Sequence, residues 1–199
     1  METNDREFQV FVKPAGAFCN LNCSYCYYLN KKSLHKGKGR PVMSDETLER
    51  YVIGHFEAST DSMVFFSWHG GEPLLAGIDF YRKAVDFQKK HKPAGVTVTN
   101  GIQTNGTLID WGWAYFLASE KFTVGISIDG PGDLHNHFRK GPDGSSSLSR
   151  ALKGYELLQR SGITTEILCV VNSYNVRFPL IIYNFFKDMG VKYITFLPL

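Results

Sequence analysis

Three of the chain's four cysteines lie within eight positions, Cys19-x-x-x-Cys23-x-x-Cys26, in the stretch CNLNCSYCYY. Three soft thiolates on one short loop suit an iron–sulfur cluster or zinc. A structural zinc ion takes four ligands, usually as two separated pairs. The fourth thiol, Cys169, falls in an apolar stretch where a buried, inert cysteine is expected, and His35, the other candidate ligand, sits among basic neighbours. The spacing therefore favours a four-iron cluster held by three cysteines with one iron open to a further ligand. Zinc, or three unliganded core cysteines, are the alternatives. Four more polar or glycine-rich segments accompany the cysteines: HGGEP (69–73), QTNG (103–106), SIDGP (127–131) and HNHFRK (135–140). By itself GGEP also reads as a tight turn before a helix, and His135 and His137 read as loop histidines without a carboxylate partner.

These segments need a scaffold that brings them together. Strand-length runs of apolar, β-branched and aromatic residues recur at Phe8–Val12, Met63–Trp68, Val96–Ile102, Thr123–Ile128, Glu166–Val171 and Tyr193–Leu197. Between them lie helical patterns. SDETLERYVIGHF starts at a Ser44 cap, carries two acids in its first turn, and places Leu48, Tyr51, Val52, His55 and Phe56 on one face. IDFYRKAVDFQKKH, DWGWAYFLASE, SSLSRALKGYELLQRSG and PLIIYNFFKDMG follow, with caps expected at Asp110 and at Ser145 to Ser147. Regular β-α alternation with near-continuous apolar strands predicts an α/β fold with a parallel sheet covered by helices, either an open doubly wound sheet or a barrel. In both, active groups gather at the carboxyl ends of the strands, where these segments fall. The sixth strand signal ends beside Leu199 without a helix to cover it, an unusual natural terminus.

Composition narrows the function classes. With 43% hydrophobic and 21% charged residues the chain has the balance of an ordered globular protein. Its formal charge of +3 is spread along the sequence, which argues against a nucleic-acid or anionic-membrane partner. The run KKSLHKGKGR at 31–40 reads as a basic loop. No apolar run approaches the ~18 residues of a membrane span, and the start METNDREFQV lacks signal-peptide order, so a cytoplasmic location is expected. In a reducing compartment clustered cysteines point to metal or catalysis.

The Cys-x-x-x-Cys-x-x-Cys loop after the first strand, with Tyr25 before its last cysteine and Gly-Gly-Glu-Pro after the second strand, resembles the radical S-adenosylmethionine (radical SAM) superfamily. The resemblance implies a partial (β/α)6 barrel with parallel strands, and a [4Fe-4S] cluster on Cys19, Cys23 and Cys26. S-adenosylmethionine chelates the open iron of such a cluster and is reductively cleaved to a 5′-deoxyadenosyl radical. It also implies cofactor-binding roles. Gly70 and Gly71 allow close backbone approach to the methionine amino group, Glu72 offers an acceptor, Ser127 a hydroxyl, and Arg139 a fork of donors for the methionine carboxylate. Tyr25 and Gly71 are the family positions matched best.

Within the superfamily, FVKPAGAFCNLNCSYCYY, SWHGGEPLLAGIDFYRKAVDFQKKH, IQTNGTLID, VGISIDGPGDLHNHFRK and ILCVVN together resemble the anaerobic sulfatase-maturating enzymes. That family oxidises a cysteine or serine of a nascent sulfatase to Cα-formylglycine. It implies a sulfatase or other peptide substrate facing Tyr28, His69, Gln103 and Asn105, and a reduced flavodoxin or ferredoxin-type electron donor. Residues 1–199 correspond to its radical SAM core domain. The family's cysteine-rich C-terminal extension, with two further clusters and an acidic residue proposed as general base, has no counterpart here, so the base is expected beyond Leu199. A maturase forming thioether or other crosslinks in a peptide, and a non-catalytic iron–sulfur or zinc module, are the competing readings.

Overall fold

The computed structural model of the chain describes residues 8–34 and 41–199. Its framework is one sheet of six parallel strands: β1 (Phe11–Val12), β2 (Met63–Trp68), β3 (Thr97–Thr104), β4 (Thr123–Ser127), β5 (Thr165–Val171) and β6 (Tyr193–Pro198). The strands lie side by side in sequence order, from β1 to β6. A doubly wound sheet reverses direction at a switch point; this one never does, so successive right-handed crossovers stack their helices on one face. Because β1 and β6 are not neighbours, the sheet is an open arc, the partial barrel expected.

The covering helices are α1 (Asp45–Ala58), α2 (Ile78–His91), α3 (Trp111–Ser119), the single turn α4 (Asp133–Asn136), α5 (Leu148–Arg160) and α6 (Pro179–Asp188). Two caps are as expected: Ser44 Oγ accepts the Thr47 N–H at 3.2 Å and Asp110 Oδ1 the Trp113 N–H at 2.9 Å. The third differs. Ser147 is the N-cap of α5 but makes no side-chain cap bond, because its hydroxyl donates to the Arg139 carbonyl oxygen at 2.7 Å. Asn136 Oδ1 instead accepts the N–H groups of Ser147 and Leu148, each at 3.1 Å.

Strand alternation sends every second side chain under the helices. Val64, Phe66 and Trp68 of β2, Ile102 of β3, Val124 and Ile126 of β4, and Ile167 and Cys169 of β5 are all buried there. The rings interlock edge to face, with Trp68 against Tyr81 at 5.6 Å and Tyr81 against Trp113 at 5.5 Å between centroids. Within this core Trp68 Nε1 donates to Asn100 Oδ1 at 2.9 Å, and Asn100 and Gln88 exchange two further bonds, whereas the buried Tyr51 hydroxyl has no hydrogen-bond partner among the described residues.

Strand ends depart slightly from expectation. β1 pairs only through Phe11 and Val12, opposite Ser67 and Trp68, rather than from Phe8. Phe8 is drawn aside, edge-on to His55 of α1 at 5.9 Å. β3 runs on to Thr104, so Gln103 and Thr104 belong to the strand rather than to a loop. No helix among the described residues is long and apolar enough to cross a membrane.

Candidate functional site

The cysteine loop is clamped on both sides by backbone hydrogen bonds. On one side the segment after β2 zips onto the segment after β1: His69 N–H donates to the Val12 carbonyl at 2.6 Å, Gly71 to Gly16 at 2.9 Å and Glu72 to Phe18 at 2.7 Å. Gly71 is required by this approach, since a Cβ there would lie 2.3 Å from the Phe18 carbonyl oxygen. On the other side Asn22 N–H donates to the Lys140 carbonyl at 2.7 Å and Ser24 to Phe138 at 3.1 Å. Within the loop Cys26 N–H turns back to the Cys23 carbonyl at 2.9 Å.

None of the three cysteines is in a disulfide, and their sulfurs are close enough to influence one another electrostatically. Burial pushes the Cys19 thiol upward and the Cys23 thiol to about 11, against the opposing charge of Arg139 on Cys23. Among the described residues no three His, Cys, Asp or Glu side chains converge as ligands of one metal ion. Three cysteine sulfurs match the donor set of a four-iron cluster with one open iron, whereas a structural zinc ion takes four ligands. The Cys19 sulfur already accepts the Leu21 N–H at 3.3 Å and a side-chain N–H of Asn105 at 3.6 Å. His35 lies outside the described residues. Cys169 is fully buried, and that burial pushes its thiol to about 12, the inert state expected.

Beside the cysteines stands a buried trio. Asp129 Oδ2 accepts from the Tyr25 hydroxyl at 2.5 Å and from Arg139 Nε at 2.8 Å, while its Oδ1 accepts the Val170 N–H at 2.9 Å. The Arg139 guanidinium lies 5.4 Å from the Tyr25 ring centroid, stacking charge on a π-face. Asp129 is wholly buried, so its pairing with Arg139 escapes the screening of a surface ion pair. Sequence reasoning quoted SIDGP but did not single out Asp129; a carboxylate immediately after a strand end was the available signal. His135 is also structural. Its Nδ1 accepts the Asp129 N–H at 3.2 Å and its Nε2 faces Ser147 Oγ at 3.0 Å; burial, then the Arg139 charge, lowers its pKa to about 3.

The concave face of the sheet encloses a cleft of about 500 Å³ lined by Phe11, Phe65, His69, Gln103, Glu166 and Tyr193, among others. Of the four residues expected to meet a peptide, His69 and Gln103 line it. Gln103 Nε2 donates to Ser127 Oγ at 3.1 Å, and its carboxamide lies flat over Gly125, where a Cβ would fall 2.0 Å from Gln103 Oε1. Tyr28 is buried outside this lining, its ring 5.1 Å from the Lys13 ammonium.

Two side chains turn away from their expected partners. Asn105 spends its amide within the protein. Glu72, expected to present an acceptor to a cofactor, is fully buried. Its oxygens take the Leu74 N–H at 3.0 Å, the Thr104 hydroxyl at 2.7 Å and the Asn105 N–H at 2.8 Å. Burial, opposed by these bonds, raises its pKa to about 7. The carboxyl knits the turn after β2 to the end of β3 because those unsatisfied backbone donors are nearer than the cleft.

The chain is 44% identical over 190 residues to the serine-type anaerobic sulfatase-maturating enzyme of Bacteroides thetaiotaomicron, an alignment covering 96% of this chain and 46% of that protein. It is 38% identical over 188 residues to the cysteine-type enzyme of Clostridium perfringens, covering 94% and 50%. A solved structure described as native anSMEcpe with bound AdoMet and Kp18Cys peptide superposes with a TM-score of 0.87 at 38% identity, covering 95% of this chain and 50% of that one. The chain thus spans about half the length of these relatives. A sequence profile of the radical SAM superfamily matches residues 14–177, most of the chain. By that match, and by the parallel arc that carries its three-cysteine loop, the chain belongs to the radical SAM superfamily, whose cofactors are a [4Fe-4S] cluster and S-adenosylmethionine.

Proposed function

We propose that this chain is the radical SAM core of an anaerobic sulfatase-maturating enzyme, acting on a cysteine or serine in a sulfatase peptide. The observation that carries the reading is the three-cysteine loop clamped between the Gly70–Glu72 turn and the Arg139 segment, in a chain 38–44% identical to relatives bearing that name. Cys19, Cys23 and Cys26 would hold the cluster, which with S-adenosylmethionine supplies one-electron cleavage and a radical able to take a hydrogen atom from the peptide residue's β-carbon.

The chain's own side chains do the positioning. Arg139, fixed through Nε by Asp129, keeps its remaining donors for the methionine carboxylate. Ser127 accepts from Gln103 and so retains its own proton to donate to a ribose or carboxylate oxygen. Tyr25, tied to Asp129, orients the backbone before Cys26, and Gly71 brings the turn after β2 against the loop. Glu72 acts from behind this turn. His69 and Gln103 would meet the peptide in the cleft; burial and the nearby Lys13 charge lower the His69 pKa, which favours the neutral ring. Reaction in a cytoplasmic setting, with electrons from a reduced flavodoxin or ferredoxin-type protein, fits this chemistry.

The test is anaerobic reconstitution with iron and sulfide, reduction, electron paramagnetic resonance with and without S-adenosylmethionine, and an assay for 5′-deoxyadenosine. A four-iron signal that shifts with S-adenosylmethionine, together with nucleoside formation that a sulfatase-derived peptide stimulates, is the expected result. Bound zinc, or a cluster indifferent to S-adenosylmethionine, would overturn the reading. Stimulation only by unrelated peptides would move the chain to another radical SAM maturase.

A further inference from the structure

We propose that Asn105 is a positioning residue for the cluster assigned above to Cys19, Cys23 and Cys26: its carboxamide donates a hydrogen bond to the Cys19 sulfur and makes the cluster easier to reduce. The inference rests on that assignment.

The orientation of the amide is over-determined. Asn20 Nδ2 donates to Thr107 Oγ1 at 2.8 Å, so the single hydroxyl proton of Thr107 is left to donate to Asn105 Oδ1 at 2.7 Å. The Thr107 N–H donates to the same oxygen at 2.9 Å. With Oδ1 committed as acceptor, the NH2 group must face the other way. There one N–H reaches Asn20 Oδ1 at 2.8 Å and the other the Cys19 sulfur at 3.6 Å. Asn20, Thr107 and Asn105 thus close a one-directional ring in which both Asn105 N–H groups are assigned, one to Asn20 and the other aimed at sulfur. The Asn105 backbone N–H is pinned to Glu72 at 2.8 Å, so the residue is held from both ends. Asn105 is 8% exposed, so its amide is largely shielded from water. Among the described residues the N–H donors to cysteine sulfur all reach Cys19, from Leu21 and Asn105, which makes this corner of the loop electronically distinct.

A donor to a ligating sulfur stabilises the extra negative charge of the reduced cluster, and hydrogen bonds to the sulfurs are one of the levers on cluster potential. Loss of one such donor is expected to disfavour reduction by about tenfold, equivalent to 59 mV for a one-electron couple.

The experiment compares cluster midpoint potentials in the reconstituted protein, Asn105→Leu and Asn20→Ala. Asn105→Leu should lower the potential by about that amount at unchanged iron content, whereas Asn20→Ala, which loosens the ring but keeps the donor, should stay near the parent value. A fully loaded Asn105→Leu protein with the parent potential overturns the inference, as does an equal shift in Asn20→Ala, which would mean that Asn105 only ties the loops. Should Asn105→Leu fail to hold the cluster, pulsed electron paramagnetic resonance of the parent protein, with asparagine labelled by 15N only at Nδ2, decides: a nitrogen coupling to the reduced cluster supports the contact, and its absence refutes it. A protein that forms no four-iron cluster at all, or one blind to S-adenosylmethionine, would count against the proposed function instead.

Discussion

The two faces of the same six strands contrast sharply. On the convex face Val64, Phe66, Trp68, Ile102, Val124, Ile126 and Ile167 vanish beneath helices into interlocked rings. On the concave face their immediate neighbours Phe65, Gly101, Gln103, Thr123, Gly125 and Glu166 line a cleft, and Phe65 remains 38% exposed. Two of those cleft positions carry no side chain at all. One residue is spent on folding and the next on leaving room, so a one-residue register slip would exchange core for cleft along a whole strand.

The largest expected effect lies on the convex face. Trp68→Ala, which empties the centre of the aromatic cluster, should cost about 4 to 5 kcal/mol in denaturant unfolding, while Phe65→Ala next to it should cost under about 1 kcal/mol. Similar losses at the two positions would break the contrast. At the strand ends, Asp129→Ala leaves the Arg139 guanidinium buried without its carboxylate. It should cost about 3 kcal/mol and release Tyr25, detectable as lost stability together with lost S-adenosylmethionine response.

Titration gives a smaller effect. The Glu72 carboxyl, raised to about 7, favours its protonated form in the fold, so its contribution is full below the ordinary value of 4.5 and lost as pH rises through about 7. His135, lowered to about 3, favours its neutral form; its contribution is full above 6.5 and lost as pH falls toward 3. Between about 4.5 and 6.5 the two slopes oppose each other. Glu72→Gln should expose the histidine slope, a stability that rises with pH across that window by on the order of 2 kcal/mol; a curve with the parent's shape would remove Glu72 from the account. Smallest in stability is Gly125→Ala. Its methyl group displaces only the end of the Gln103 side chain, so unfolding should change by under about 1 kcal/mol, yet the Gln103 bond to Ser127 is lost and S-adenosylmethionine or peptide affinity should drop severalfold in a binding titration.

Local periodicity made the scaffold legible. The β-α alternation, the Ser44 and Asp110 caps and the face of α1 built on Leu48, Val52 and Phe56 depend on neighbours a few residues away, and all are where the pattern puts them. The cysteine loop was legible through its spacing. Side-chain direction at the strand ends was not, because it is settled by partners far along the chain: Tyr25 meets Asp129 across 104 positions and Asn105 meets Cys19 across 86. Glu72 turns inward for the same reason, answering the Thr104 hydroxyl at the end of β3 and the Asn105 N–H just after it, which no local pattern around GGEP announces. Ser147 forgoes its capping bond for a carbonyl eight residues upstream, and only the fold makes that carbonyl available.

The two-sided clamp on the cysteine loop also sets a timetable. Its first side, from Val12 to Glu72, can close early in synthesis, but its second needs Phe138 and Lys140, more than a hundred positions after Cys26. Between the emergence of Glu72 and that of Lys140, at ribosomal rates of about 5 to 20 residues per second, the wait is about 3 to 14 s. Through it the three thiols are on a half-fastened loop, open to oxidants and to stray metal ions. The loop is thus set in its final form only after residue 140 has emerged, and an inorganic group delivered before then would meet a receptor not yet shaped to hold it.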